Sequence, residues 1–261
     1  MSGGRAAEPD KRPAEPPAKP PAKWPETWFA SAAQRTAAAW RGVEAQHIVA
    51  TMRLVDTLDE QAMLEQLLEA SKPALPPPAA QPKVAQRKPA QPKHCLLTTP
   101  FRYRSPLPSR FRSAGSAGVW YGAETLQAAA AEVAYWRWRF LTASVGLLEQ
   151  DLLTEHTFFQ AQVQGTAIDL TESPWVRRRN DWTRDADYSA TKALAQAARA
   201  RGVQWIRYAS VRDPGGRCAA VFDVDALHLG DPTPQQTWHC KVSRGSALML
   251  HGNDRFAWQY A

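Results

Sequence analysis

The sequence predicts an α+β fold beyond residue 94, preceded by a helical N-terminal arm, and three observations carry that expectation. Apolar residues recur at three- and four-residue steps before about residue 70, whereas later they alternate or run in short blocks as strands do. The turn signal Asp213-Pro214-Gly215-Gly216 separates two apolar runs, since Pro fixes one φ and Gly permits the positive φ that follows. Two tracts dominated by Pro, Ala and Lys, residues 1–23 and 72–93, divide the chain into segments.

Residues 1–23 carry almost no large apolar side chain to offset chain entropy and are expected to be disordered. From Pro25 to about Met52, Trp28, Phe29, Ala32, Ala33, Thr36, Trp40, Val43, Gln46 and His47 follow a helical spacing in an alanine-rich run, which predicts a long amphipathic helix. Thr57-Leu58-Asp59-Glu60 fits a capping box, in which the Thr hydroxyl and the Glu carboxylate exchange bonds with first-turn amides. A second helix follows, with Leu64, Leu67 and Leu68 on one side, closed by Pro73. Residues 24–71 thus read as a helical arm too small to fold alone. Its apolar stripe has to meet the downstream domain, a second copy or another protein. Residues 72–93 read as a semi-stiff, polyproline-like linker.

The main domain is expected over residues 94–261. Gly118 to Tyr121 reads as the end of a strand, and Thr125 to Phe140 as a helix opening in Gly-Ala-Glu-Thr. Phe158 to Val163 alternates as a strand, and Ala167 to Leu170 begins another. Tyr188 to Arg201 reads as a helix ended by Gly202. Val203 to Ala209 and Ala219 to Val224 are further strands, and the Asp-Pro-Gly-Gly turn makes Trp205 to Phe222 a hairpin.

A formal charge of +7 and a pI near 9.5 permit attraction to nucleic acid, anionic lipid or an acidic protein without choosing among them. No run approaches the ~20 apolar residues of a membrane span, and no secretory apolar core opens the chain, so a cytoplasmic location is expected. Cys95, Cys218 and Cys240 are odd in number, widely spaced and without CxxC pairing, the pattern of reduced thiols. The pairs His94-Cys95 and His239-Cys240 are weak metal signals, because adjacent side chains seldom point at one ion; no metal ligands are expected.

The chemistry concentrates in Pro100 to Arg139, PFRYRSPLPSRFRSAGSAGVWYGAETLQAAAAEVAYWRWR, and in YASVRDPGG at Tyr208 to Gly216. Planar guanidinium forks suit a diphosphate, an aromatic suits a planar ring, and a lone carboxylate suits a cationic transition state. Together they imply a nucleotide-sugar site. Glu132 lies on an apolar helix face where an unpaired carboxylate is costly, with a structural ion pair to Arg137 or another arginine as the competing reading. Ser210 follows a strand and lacks both a Gly-x-Ser-x-Gly elbow and a nearby His-Asp pair. It therefore reads as a positioning residue, bonded to ribose or to Glu132, and not as a nucleophile. Tyr121 is either a core residue or a stacking ring whose hydroxyl bonds ribose, and Trp120 on the opposite face reads as core. Arg212 binds phosphate or pairs with Asp213. Arg104 and Arg112 share a face with Arg102 and Arg110 in an extended chain, contacting phosphate or solvent.

This order of Arg-Tyr, Arg-Phe, Val-Trp-Tyr, Ala-Glu-Val and Ser-Val-Arg-Asp resembles the RES-domain family, named for Arg, Glu and Ser. The resemblance extends from about Cys95 to Leu229 and includes TAIDLTES and YSATKALAQAARARGVQWIRYASVRDPGGRCAAVFD. It implies an ADP-ribosyltransferase-like fold and an enzyme that cleaves NAD+ between nicotinamide and ribose, with phosphate or water as acceptor. Such NAD+ phosphorylases and glycohydrolases arrest growth as toxins of toxin-antitoxin pairs. The resemblance implies a catalytic set of Glu132, Ser210 and Arg110, with Arg102, Tyr103, Tyr121 and Arg212 binding substrate. NAD+ is then the substrate, with no resident cofactor, a cognate antitoxin is the implied partner, and a homodimer is compatible. The arm, and an extension from Gly230 to Ala261 rich in Trp238, His239, Phe256, Trp258 and Tyr260, depart from short family members. The arm could dock, dimerise or cover the site in cis, and the tail could add a strand or a partner surface.

Two other readings stay open. Mono-ADP-ribosylation of a protein needs the same donor site. A non-catalytic nucleic-acid-binding role, ranked below catalysis, draws on the basic charge and on the interleaved YWRWRF at Tyr135 to Phe140. Burial of Trp136 and Trp138 would remove its main support.

Overall fold

The structure is a computed structural model that describes residues 24–45, 54–73 and 93–260. The N-terminal tract at 1–23 and nearly all of the proline-rich linker lie outside the described residues.

The architecture is α+β and is organised on β3 (Leu152–Asp169), a strand of 18 residues. Along one edge β3 pairs antiparallel with β1 (Ala33–Glu44), from Ala33 opposite Ala167 to Glu44 opposite His156. Along the other edge it meets β7 (Gln235–Val242) and β6 (Leu227–Leu229), both antiparallel, and then β4 (Trp205–Ala209) in parallel. β5 (Arg217–Val221) and β2 (Trp120–Ala123) continue from β4, while β8 (Ser246–His251) and β9 (Asp254–Gln259) continue from β7. β1 also meets β2, with Trp40 opposite Ala123, so β1, β2, β5, β4 and β3 come round into a closed circuit.

Alternation along these strands divides the apolar side chains between two cores. One holds Ala39, Trp120, Phe159, Val163, Trp205 and Val221, covered by Leu97 and Phe101 of helix α2 (Cys95–Arg102). The other holds Phe158, Ile168, Ile206, Tyr208 and Ala220 beneath helices α3 (Leu126–Ala143) and α4 (Ser189–Ala200). Each fully buried large side chain contributes about 1.5–3 kcal/mol. The alanine run Ala128 to Ala131 gives α3 a small-residue face that lies almost wholly buried. Thr125 caps that helix, its Oγ1 accepting from the Ala128 amide at 3.1 Å. Gly202, at φ +73, ends α4, and β4 and β5 form the expected hairpin with Gly215 at φ +91 in its turn.

The long helix expected from Pro25 to Met52 is not formed. Glu26–Ser31 is a short 3-10 turn and Ala33–Glu44 is strand β1, while residues 46–53 lie outside the described residues. Alanine-rich helix propensity loses here to tertiary context, because β3 offers an edge along the whole of β1. The same residues satisfy a two-residue period, Ala39 entering one core and Trp40 packing on the other. Gly42 permits the close approach this requires, since a Cβ there would lie 2.7 Å from the Phe158 ring and 2.9 Å from Val133 of α3. The second helix forms as expected: α1 (Leu58–Ser71) carries the capping box, with Glu60 Oε2 accepting from the Asp56 and Thr57 amides at 2.8 and 3.1 Å. Its Leu58, Met63, Leu67 and Leu68 are exposed. β3 runs unbroken through both segments expected as separate strands. The C-terminal extension adds β7, β8 and β9, with Trp238 stacked on Phe256 at 4.9 Å.

Removing residues 1–45 strips β1 from β3 and opens both cores. The expected outcome is loss of the cooperative thermal transition followed by far-UV circular dichroism. An unchanged midpoint would show that β1 is dispensable.

Candidate functional site

One stripe of α3, at three- and four-residue steps, forms a wall of a cavity of about 450 Å3: Ala129, Glu132, Val133, Trp136, Arg137 and Phe140. Facing residues are Trp40, Arg41, Gly42 and Glu44 of β1 and Tyr121 to Ala123 of β2, and Ser109, Arg110, Tyr188, Tyr208 and Arg212 complete the end near Glu132.

Burial raises the Glu132 carboxyl above its ordinary range, opposed by the nearby charges of Arg110 and Arg212 and by a bond from Ser210. Ser210 Oγ donates to Glu132 Oε1 at 3.3 Å, while accepting from the Arg212 and Asp213 amides at 3.2 and 3.1 Å. The turn after β4 therefore fixes the hydroxyl that meets Glu132. Arg137 pairs with Glu44 of β1 and not with Glu132, whose neighbouring cations are Arg110 and Arg212.

Arg110 is held by its backbone and by its side chain. Its Nη1 donates to the carbonyls of Trp182 and Arg184 at 3.0 and 2.9 Å, and its guanidinium lies 4.7 Å from the Tyr188 ring centroid. The Tyr121 hydroxyl accepts from the Phe111 amide at 3.0 Å and shares a 2.8 Å bond with Ser109 Oγ. Tyr121 thus pins both neighbours of Arg110, so its hydroxyl is already committed within the protein. Thr191 Oγ1 donates to the Arg110 carbonyl. Arg212 pairs with Asp185, not with Asp213, and lies 3.3 Å from the Tyr135 ring centroid.

Glu132, Ser210, Arg110, Tyr121 and Arg212 are therefore brought together, whereas Arg102 and Tyr103 are not among the described residues lining the cavity. Phe101 is the member of that segment that enters a core. Arg102 ends α2, and Tyr103 beyond it is 46% exposed. Arg112 donates to the Leu107 carbonyl at 2.9 Å, closing its own loop.

Sequence reasoning did not place Arg41, Glu44, Arg137, His156 and Tyr188 at the cavity. Arg41 Nη1 donates to the Tyr121 carbonyl at 2.9 Å, and burial lowers its pKa to about 10. His156 is buried, which lowers its pKa to about 4, with Arg137 acting in the same direction. Its alternation with Phe158 on a strand was a visible signal, but nothing local pairs either residue with β1. The interleaved Tyr135 to Phe140 run is split. Trp136 is 50% exposed at the cavity, while Trp138 stacks on Tyr260 at 4.5 Å and donates to the Arg244 carbonyl.

Among the described residues no group of three or more His, Cys, Asp or Glu side chains could hold a metal ion. His94 instead caps α2 by accepting from the Leu96 amide at 3.2 Å, and His239 faces Glu155 at 3.4 Å. The three cysteines are free thiols. No described helix is long and apolar enough to cross a membrane.

Tyr121→Phe strands the Phe111 amide and is expected to cost about 1–3 kcal/mol of stability in urea unfolding; an unchanged midpoint would argue against the pinning role. Glu132→Gln has a pH signature. Because the folded carboxyl sits above its unfolded value, ionisation at neutral pH opposes folding. The variant is expected to be more stable than the parent at pH 7. That gain shrinks as pH falls through the folded value and vanishes below the unfolded value of about 4.3. Urea titrations across that range would detect it, and a gain independent of pH would contradict the assignment.

No curated protein matches the sequence. Among solved structures, the MbcT-MbcA toxin-antitoxin complex of M. tuberculosis is similar, at 14% identity and a TM-score of 0.44 over 84% of this chain and 94% of that one. The RES domain family model matches residues 83–243, a span that holds Arg110, Tyr121, Glu132, Ser210 and Arg212 but leaves β1, β8 and β9 outside. That match covers more than half of the sequence, and the chain belongs to the RES-domain family.

Proposed function

We propose that the chain is an enzyme that cleaves NAD+ at the bond between nicotinamide and ribose, and that depletion of NAD+ makes it the toxin of a toxin-antitoxin pair. The observation that carries this reading is Glu132 in the wall of the cavity, bonded by Ser210 at 3.3 Å, with Arg110 and Arg212 beside it. As the glycosidic bond breaks, its electron pair leaves with nicotinamide and positive charge spreads over ribose C1′ and the ring oxygen. A carboxylate held beside that carbon stabilises the charge more strongly in a desolvated cavity than in water. Ser210 holds that carboxylate in orientation. In this reading Arg110, fixed through its neighbours and through Nη1, and Arg212, both lining the cavity, bind the pyrophosphate. Tyr121 acts by positioning Arg110. No role at the cavity is proposed for Arg102 or Tyr103.

The acceptor, phosphate or water, attacks the same carbon, giving ADP-ribose-1''-phosphate or ADP-ribose with release of nicotinamide. Within this reading a cognate antitoxin blocks the cavity and the reaction takes place in the cytoplasm. NAD+ consumption by the purified chain, with and without phosphate and with products resolved by mass, tests the proposal. Glu132→Gln is expected to lower turnover by about two to three orders of magnitude. Turnover equal to the parent's would remove Glu132 from catalysis. Absence of cleavage in the parent would overturn the hydrolytic and phosphorolytic reading, and ADP-ribose found attached to protein would replace it with transfer.

A further inference from the structure

The cavity extends past Glu132, and its far end has a different chemistry. Trp136 and Phe140 stand one and two turns beyond Glu132 on the same stripe of α3, roughly 6 and 12 Å along the axis. Both line the cavity, yet they are 50% and 55% exposed, so neither is consumed by packing. Their neighbours behave differently: Tyr135 is buried and Trp138 is stacked on Tyr260.

Two ionisable groups that line the cavity with these rings are matched or neutral. Arg137 is paired with Glu44. His156, which lines the same cavity and is 2% exposed, stays uncharged at neutral pH, and its Nδ1 has no hydrogen-bond partner. A neutral planar heterocycle would find two aromatic faces beside a neutral imidazole edge.

We propose that Trp136 and Phe140 form a stacking platform for a purine base, the adenine of a dinucleotide whose glycosidic bond lies at Glu132. The assignment rests on the NAD+ reading for the identity of the ligand, while the platform itself rests on the half-exposed ring pair lining the cavity. Helix spacing then acts as a ruler. The carboxylate and the base platform sit on one rigid element, with the pyrophosphate spanning between them past Arg110 and Arg212. Because both rings are half-exposed, truncating them removes ligand contact without opening a core.

The test compares adenosine monophosphate, which carries only the base end, with nicotinamide mononucleotide, which carries only the reacting end. Both are titrated calorimetrically into the full chain in a Glu132→Gln background, so that neither is consumed. Trp136→Ala and Phe140→Ala are each expected to weaken adenosine monophosphate on the order of tenfold, and nicotinamide mononucleotide far less. Failure of adenosine monophosphate to bind the Glu132→Gln chain, unchanged affinity in both ring variants, or equal weakening of the two ligands would overturn the platform. Selective loss of adenosine monophosphate in a chain that does not cleave NAD+ would keep the platform and remove the proposed reaction. NAD+ cleavage with an unchanged KM in Trp136→Ala would do the reverse.

Discussion

The pairing of β1 with β3 is the constraint on which the rest of the structure depends. It runs in register from Ala33 opposite Ala167 to Glu44 opposite His156, and it lets β1 reach β2 and close the circuit of strands. Removing it would leave an open edge on β3 and expose Ala39 and Trp120, together with the face of Phe158 that Gly42 approaches. The same strand carries the cavity's second wall. Fold and site therefore share one interaction.

An ion network centred on a buried carboxylate ties this pairing to helix α3. Asp169, at the end of β3, is 2% exposed and accepts from Arg207 of β4 at 3.2 Å, with Arg35 of β1 at 3.8 Å. Arg207 grips Glu124 through two bonds of 2.5 and 2.7 Å, and these raise its pKa above the ordinary guanidinium value. Glu124 directly precedes Thr125, the N-cap of α3. A charge buried this deeply is tolerated only when it is fully paired. The network thus holds β1, β3, β4 and the entry to α3 in one arrangement, and the placing of Glu132 two turns further on follows from it.

At the site, opposing effects are balanced around Glu132. Burial penalises its charge, while Arg110, Arg212 and Ser210 favour it, with burial the larger effect. Each of these partners is itself constrained: Arg110 by Tyr121, Thr191 and two carbonyls, Arg212 by Asp185 and Tyr135, and Ser210 by the amides of the turn. Such preorganisation fixes the surroundings of the Glu132 carboxyl before any ligand enters the cavity.

The local signals in the sequence were sufficient for the elements that local chemistry controls. The Thr57 to Glu60 capping box, the Thr125 cap, the Gly202 stop and the Asp-Pro-Gly-Gly hairpin all form, because each depends on residues within a few positions of one another. Glu132, Arg110, Tyr121 and Arg212, singled out in the sequence, line one cavity, and Ser210 donates to Glu132 at its edge. Only the tertiary structure decided that Ala33–Glu44 is a strand. Its composition favours a helix, and the edge that overrides this preference belongs to residues more than a hundred positions away. Arg41 and Glu44 at the cavity, the pairing of Arg137 away from Glu132, and the position of Arg102 and Tyr103 outside the described residues that line the cavity share that physical reason. Each depends on which distant surface a side chain meets, and the spacing of neighbouring residues carries no record of it.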